Sequence, residues 1–152
     1  MYRHVLVALE NSTYDAAILN HVRGLAALCS ARVTLIHVAD GFAARNMHTL
    51  KLRESEEMRL DREYLDRCAV DLAGVTGAPL DVDAILASGD PATEICAAAE
   101  REQCDLIAMA THGHGFLNDV VRGSVANEVR HKSLVPVLLV RGVAPATTRK
   151  PR

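Results

Sequence analysis

Short runs of apolar residues alternate with longer segments in which apolar positions recur every three to four residues. The short runs have the length and the β-branched content of buried strands, whereas the longer segments have the spacing of amphipathic helices. The strand-like runs lie at residues 4–9, 32–39, 80–86, 105–111 and 135–140. The helical segments lie at residues 16–28, 50–72 and 91–103, and from Ser124 onward. This pattern predicts the order βαβαβαβαβ.

Strands that alternate with helices form a parallel sheet, because right-handed crossovers place the helices against its faces. We therefore predict an α/β fold: a single-domain, open, five-stranded parallel sheet of the Rossmann-like kind, with helices on both faces. The third run alternates apolar residues with Asp81 and Asp83, which is typical of a half-exposed strand toward a sheet edge. Residues 142–152 are polar and basic, and we expect them to form a flexible tail after a domain at residues 1–141.

Helix-start signals precede two of the predicted helices. Ser12 or Thr13 is the expected N-cap of the first helix, since a hydroxyl there can accept a backbone N–H. Asp90 and Pro91 open the third helix, because proline suits the first turn.

Composition narrows the possible functions. The 152 residues carry 17 basic and 19 acidic side chains, and a net charge of −2 is too weak to attract nucleic acid. Two Phe, three Tyr and no Trp leave little surface for stacking bases. No uncharged apolar run approaches the roughly 18 residues of a membrane span. We therefore expect neither a nucleic-acid nor a membrane partner.

The four cysteines point to a reducing compartment. They are widely spaced, form no CxxC pair and are not preceded by a signal-like segment, so we expect a cytoplasmic protein. Their neighbours are mostly aliphatic, which favours small buried side chains over a redox or zinc role. They are Cys29, Cys68, Cys96 and Cys104.

The segment after the fourth strand carries the chemistry. In open parallel sheets, ligands bind beyond the carboxyl ends of the strands, where the strand order reverses. Here residues 111–124 supply glycines that let the backbone approach a ligand, followed by Ser124 and Val125 at a predicted helix start. Backbone N–H groups at a helix N-terminus favour an anion. A plain N-cap at Ser124 is the alternative interpretation.

Other chemistries find less support. Neither a Walker loop nor a G-x-G-x-x-G motif occurs. His112 and His114 flank Gly113, but no cysteine or carboxylate lies at ligand spacing for zinc, so we predict no dedicated metal site. His37 lies within an apolar strand and is expected to be a satisfied core residue. No Ser-His-Asp or Cys-His arrangement can be assigned, so no catalytic residue is predicted.

Several motifs in the same order make the sequence similar to the universal stress protein family, in particular its nucleotide-binding branch. The similarity extends over about residues 2–141. The motifs are Tyr2-Arg3-His4-Val5-Leu6-Val7-Ala8-Leu9-Glu10-Asn11-Ser12, Leu35-Ile36-His37-Val38, Gly89-Asp90-Pro91, Asp105-Leu106-Ile107-Ala108-Met109-Ala110-Thr111-His112-Gly113, Gly123-Ser124 and Pro136-Val137-Leu138-Leu139-Val140-Arg141.

The resemblance implies a sheet of the adenine nucleotide alpha hydrolase-like type, with strand order 3-2-1-4-5. It also implies that the chain binds ATP, to which Mg²⁺ can bind through the phosphates. The phosphates would lie against Gly113, Gly123, Ser124 and the Val125 amide, with His114 nearby, while Val38 would present its backbone to the adenine. Met109 and Ala110 would line the nucleoside side. The full implied set is Ala8, Glu10, Ser12, Val38, Met109, Ala110, Gly113, His114, Gly123, Ser124 and Val125.

The sequence departs from the family pattern at two places. Ala110 replaces the first glycine of the G-x2-G-x9-G-[S/T] signature, and its methyl group is tolerated if φ is negative but strained if φ is positive. Glu10 and Asn11 stand where the family often has Asp-Gly, and Glu10 keeps the charge on a longer side chain.

The sequence predicts a dimeric, ATP-binding stress-response or regulatory module. The apolar fifth strand, which begins with Val135 and ends with Val140, would pair with a second copy, because an uncovered edge strand promotes association. A protein-interaction module of the same fold that binds no nucleotide is one alternative. A slow ATPase is the other, and the question of enzymatic activity stays open because no general base can be named.

Overall fold

The computed structural model describes residues 1–40, 51–74, 79–112 and 122–142, with no description of side chains at 40, 51–55, 112, 122 and 123. Strands and helices alternate throughout, as the apolar pattern predicted. The elements are β1 (His4–Leu9), α1 (Asp15–Cys29), β2 (Arg32–Asp40), α2 (Lys51–Ala73), β3 (Val82–Gly89), α3 (Pro91–Arg101), β4 (Leu106–His112), α4 (Arg122–Lys132) and β5 (Val137–Gly142).

The strands form one parallel sheet in the order β3-β2-β1-β4-β5. The predicted fold and strand order are therefore confirmed. β1 lies at the centre, and its residues 5–9 are buried, which explains their unbroken apolar run. β3 lies at one edge, as its alternation with aspartates predicted, and β5 lies at the other.

Helices cover both faces of the sheet. α1 and α2 pack on one face, where Ile18, Val22 and Leu65 meet the odd-numbered side chains of β1. α3 and α4 pack on the other face, where Ile95 and Val129 meet the even-numbered ones. We call these the α1/α2 face and the α3/α4 face. Because side chains alternate along a strand, neighbouring residues of β4 belong to opposite faces.

The N-cap prediction for α1 is wrong. Tyr14 occupies the N-cap position and makes no side-chain capping bond. Ser12 instead accepts the Tyr14 N–H on its Oγ at 3.3 Å, within a turn that precedes the helix. The prediction for α3 is confirmed: the Asp90 carboxylate accepts the Thr93 N–H at 2.9 Å, and Pro91 is the first residue of the helix.

β5 lies two residues later than predicted. Val135 donates its N–H to Ser133 Oγ at 3.1 Å, which makes this part a turn, and pairing with β4 begins at Val137. β5 also ends two residues later than predicted, at Gly142, which the sequence assigned to the tail. Gly142 is buried, and a Cβ there would lie 2.9 Å from the Cβ of Tyr14. The rest of the tail predicted at residues 142–152 lies outside the described residues.

Candidate functional site

The carboxyl ends of β1 and β4 meet at the centre of the sheet. Ala8 of β1 pairs with Met109 of β4, and both are buried on the α3/α4 face. Val38 of β2 and Val125 of α4 are half-buried against the same cluster. Four of the predicted nucleotide-binding residues thus share one face of the sheet, at the point where ligands bind in folds of this type.

Ala110 lies on the opposite face from Met109. Its side chain packs against the α1/α2 face, and it pairs with Val140 of β5. It lies within β4 and is not among the residues with positive φ. An alanine is therefore accommodated at this position without backbone strain, which answers the question raised by the missing signature glycine.

The β1–α1 loop contains a left-handed residue at the second departure from the family pattern. Asn11 has φ of 57°, a conformation that glycine adopts freely and that asparagine tolerates better than most other residues. The replacement of glycine by asparagine is thus compatible with the turn. Glu10 and Ser12 flank Asn11 and are half-buried at the end of β1.

The backbone N–H groups of both flanking residues are hydrogen-bonded to Asp15, the first residue of α1. The Glu10 N–H donates to Asp15 Oδ1 at 3.1 Å, and the Ser12 N–H donates to Oδ2 at 3.0 Å. Tyr64 of α2 also donates its hydroxyl to Oδ2. The Asp15 carboxylate is only 2% exposed, and three donors offset the cost of burying its charge.

α4 begins at Arg122, two residues before the predicted start. Gly123 is therefore the second residue of the helix, and Ser124 and Val125 complete its first turn. The positive end of the helix dipole favours an anion there. Ser124 is exposed and Val125 is half-buried. Gly113 and His114, which were predicted to complete the phosphate side, lie outside the described residues.

His37 is satisfied by its polar contacts, as predicted, but it is half-buried rather than part of the core. Its Nδ1 donates to the Leu9 carbonyl at 2.8 Å, and its Nε2 faces Asp61 Oδ2 of α2 at 3.5 Å. The other Asp61 oxygen accepts the Asn11 side-chain amide at 3.2 Å. The ends of β1 and β2 are thus linked to α2.

Sequence reasoning missed Asp15, Asp61 and Tyr64. A signal for the two aspartates was present, because each continues the buried stripe of its helix. Asp15 precedes Ile18, Val22 and Ala26 at helical spacing, and Asp61 precedes Leu65, Cys68 and Leu72 in the same way. A carboxylate on a buried stripe needs donors, and here the β1–α1 loop supplies them.

The cysteines lie away from these contacts or within the core. Cys68 and Cys104 are buried, and Cys29 and Cys96 are half-buried, all as free thiols. Burial raises the pKa of Cys104 to about 11, so its thiol is a poor nucleophile at neutral pH. Cys96 and Cys104 line a cavity of about 270 Å³ between the end of α3 and the turn before β5, at the amino ends of the strands. This cavity is therefore distinct from the candidate site.

Two other features, a membrane-spanning helix and a cluster of metal-ligating side chains, are absent from the part of the chain that the structure describes. None of the helices there combines the length and apolar character needed to cross a membrane. Within the same residues, no group of three or more His, Cys, Asp or Glu side chains is arranged to hold a metal ion.

Comparisons of the sequence and of the fold with known proteins point to the same protein family. The sequence model described as the universal stress protein family matches residues 1–141. The chain belongs to the universal stress protein family. It is 28% identical to universal stress protein MJ0577 from Methanocaldococcus jannaschii, over 93% of this chain and 96% of that protein. It is 31% identical to a universal stress protein from Methanothermobacter thermautotrophicus, over 94% of this chain and 98% of that one.

Solved structures agree on the fold. The structure of MJ0577 superposes with a TM-score of 0.78 at 27% identity, over 95% of this universal stress protein and 99% of that chain. The universal stress protein from Archaeoglobus fulgidus in complex with dAMP has a TM-score of 0.64 at 20% identity, over 91% and 98% of the two chains. A universal stress protein in complex with cAMP has a TM-score of 0.68 at 20% identity, over 92% and 97%.

Proposed function

We propose that this universal stress protein binds ATP at the carboxyl ends of β1, β2 and β4 and acts as a dimeric stress-response or regulatory module. The observation that carries the proposal is the grouping of Ala8, Val38, Met109 and Val125 on one face, beside the first turn of α4. These apolar side chains form a floor suited to a nucleoside, and the helix start suits its phosphates.

The loop after β1 would complete the nucleoside side of this site. Glu10 and Ser12 lie there, and a carboxylate or hydroxyl at this place is suited to the hydroxyl groups of a ribose. Gly113, His114, Gly123 and Ser124 are proposed for the phosphate side, and Mg²⁺ can bind to the phosphates with water as its other ligand. Family members of the same fold that hold cAMP or dAMP support an adenine nucleotide as the ligand class.

Release of bound ligand is the first test. We expect purified protein, once denatured, to release adenine nucleotide into the supernatant, and ligand-free protein to give a calorimetric heat with ATP and Mg²⁺. If the protein released no nucleotide and gave no heat with ATP, the proposal would be rejected. A protein-interaction module without nucleotide would then be favoured.

A matched pair of glycine variants separates binding from folding. Gly123→Leu places a bulky side chain at the predicted phosphate side, while Gly24→Leu alters an exposed position in α1 where an added Cβ has no atom within 4 Å. ATP at 100 times its Kd stabilises a binding protein by about 2.7 kcal/mol. We expect Gly24→Leu to keep this stabilisation and Gly123→Leu to lose it. Phosphate release that is also lost in Gly123→Leu would identify the slow ATPase.

The proposed dimer forms through β5. This strand lies at the sheet edge, where Leu139 is 41% exposed, and Leu134 just before the strand is 91% exposed. Pairing of two copies would satisfy the edge backbone and cover the apolar side chains. We expect light scattering to give a dimer that Leu139→Lys shifts toward monomer. Val70→Lys, at an exposed apolar position of α2, should leave the dimer intact, and a monomeric unsubstituted chain would refute this arrangement.

A cytoplasmic location is part of the same proposal. The four free thiols support it, since a reducing compartment keeps cysteines in this form. Fractionation of the source cells, with the protein in the cytoplasmic fraction as the expected outcome, tests this assignment.

A further inference from the structure

One face of α2 contacts the loop after β1 through polar side chains. Asp61, Tyr64 and Cys68 are spaced by three and four residues and therefore lie on the same side of the helix. Cys68 belongs to the α1/α2 core, and Tyr64 packs against that core. Asp61 and Tyr64 extend this buried face to the carboxyl ends of β1 and β2, where the candidate nucleoside site begins.

Tyr64 fixes the acceptor that holds the loop. Its hydroxyl donates to Asp15 Oδ2, the oxygen that also accepts the Ser12 N–H at 3.0 Å. Burial and the Asp15 carboxylate both raise the pKa of Tyr64, so the phenol stays protonated and remains a donor. Because the Glu10 N–H bonds to the other Asp15 oxygen, the orientation of this carboxylate determines where both loop amides lie.

Asp61 holds the middle of the same loop. It accepts the Asn11 side-chain amide at 3.2 Å, and Asn11 is the residue with left-handed φ. Its second oxygen faces His37 Nε2 at 3.5 Å, and Nδ1 of this imidazole donates to the Leu9 carbonyl at the end of β1. Asp61 thus supports the loop through Asn11 and the end of β1 through His37.

We propose that Asp61 and Tyr64 of α2 are positioning residues for the nucleoside side of the site, acting through Asn11 and Asp15 on the Glu10–Ser12 turn. The inference rests on the proposed function. It makes nucleotide affinity depend on a helix that supplies none of the predicted ligand-binding residues. Any partner or modification that moved this face of α2 would therefore change the affinity for the nucleotide.

Two conservative variants and two matched controls test the role. Tyr64→Phe removes only the hydroxyl, and Asp61→Asn removes the charge and replaces one acceptor oxygen by an NH₂ donor. Tyr2→Phe changes another tyrosine that packs against the α1/α2 core, and Asp66→Asn changes an exposed aspartate of α2. The Kd for ATP with Mg²⁺ is measured by calorimetry, and exchange of the Glu10 and Ser12 amides is measured by NMR on the ligand-free protein.

We expect Tyr64→Phe and Asp61→Asn each to raise the Kd roughly tenfold, within the range typical of coupled sites. The two loop amides should exchange several-fold faster in these variants, while core amides of β1 stay protected. Both controls should match the unsubstituted chain. The amide measurement separates positioning from general destabilisation, because a merely structural role would affect the core amides as well.

Each of the other outcomes decides against a stated claim. ATP binding with the same Kd in the variants and the unsubstituted chain would overturn the positioning role and leave the proposed function intact. Weaker binding with unchanged loop amides would also overturn it, since the effect would not pass through the turn. If the unsubstituted chain bound no ATP, the proposed function would fail, and the positioning role would fail with it.

Discussion

Replacing the buried Asp15 carboxylate by its amide isostere should destabilise the protein far more than a surface change. In Asp15→Asn one oxygen becomes an NH₂ group of nearly the same size. Oδ2 accepts from Ser12 and Tyr64, and Oδ1 accepts from Glu10. Whichever way the amide is turned, its NH₂ group therefore faces at least one donor. The better orientation keeps the bonds to Ser12 and Tyr64 and loses the bond from Glu10.

The cost follows from these three bonds. A hydrogen bond to a charged group contributes about 1.5–3 kcal/mol, and a neutral one contributes about 0.5–1.5 kcal/mol. One lost bond and two weakened bonds together cost about 4 kcal/mol, and the easier burial of a neutral amide offsets part of this. We expect the free energy of unfolding to fall by about 2–3 kcal/mol, which lowers Tm by about 5–10 °C in a chain of this size.

Urea unfolding followed by far-UV circular dichroism measures this change. Asp66→Asn, exposed on α2, is the matched control and should stay within about 0.5 kcal/mol of the unsubstituted chain. Combining Asp15→Asn with Tyr64→Phe should cost less than the sum of the two single changes, because the variants share one hydrogen bond. A loss in Asp15→Asn no larger than in the control would refute the assignment of Asp15 as the acceptor that holds the loop.

Four further predictions concern other elements. Gly142→Ala should lower the free energy of unfolding by about 1–3 kcal/mol, because its methyl group overlaps the Tyr14 ring, whereas Gly24→Ala in exposed α1 should raise it by up to about 1 kcal/mol. Asp90→Ala should cost about 1 kcal/mol through loss of the α3 cap. Hydrogen bonds from Thr93 lower the pKa of Asp90, so its stabilising contribution is complete above the usual carboxyl pKa of 3.8 and disappears as pH falls through the lower folded-state pKa. An acid titration of stability that the Asp90→Ala variant flattens checks this sign. At pH 8, a thiol reagent should modify Cys104 more slowly than half-buried Cys29.

The fold could be predicted because the apolar pattern of each element reflects how that element is buried. β1 is buried on both faces and is apolar at every position from 5 to 9, whereas β3 at the edge alternates with Asp81 and Asp83. The spacing of apolar residues within an element indicates whether a strand is buried on both faces and which stripe of a helix is buried. The strand order followed from the family resemblance, since periodicity does not specify which strands become neighbours.

Element ends were harder to predict, because a local turn can compete with a helix cap and because some contacts come from distant parts of the chain. Ser12 has the right chemistry for an N-cap, but its hydroxyl accepts the Tyr14 N–H in the turn before the helix, and α1 begins only at Asp15. Gly142 resembles the start of a polar tail, but its backbone pairs with His112 and it packs against the Tyr14 ring. The Gly142 contacts join residues far apart in the chain and leave no trace in the sequence around Gly142, whereas the Ser12 contact is local.

The sequence by itself determined the alternation of strands and helices, the apolar core and the motifs that define the family. Only the tertiary structure decided that Ala8, Val38, Met109 and Val125 share a face and that α2 reaches across to the turn after β1. The physical reason is that hydrophobic periodicity specifies which side of an element is buried but not what lies opposite it. A hydrogen bond from Tyr64 to Asp15 joins residues 49 positions apart, and folding alone brings that donor and acceptor together.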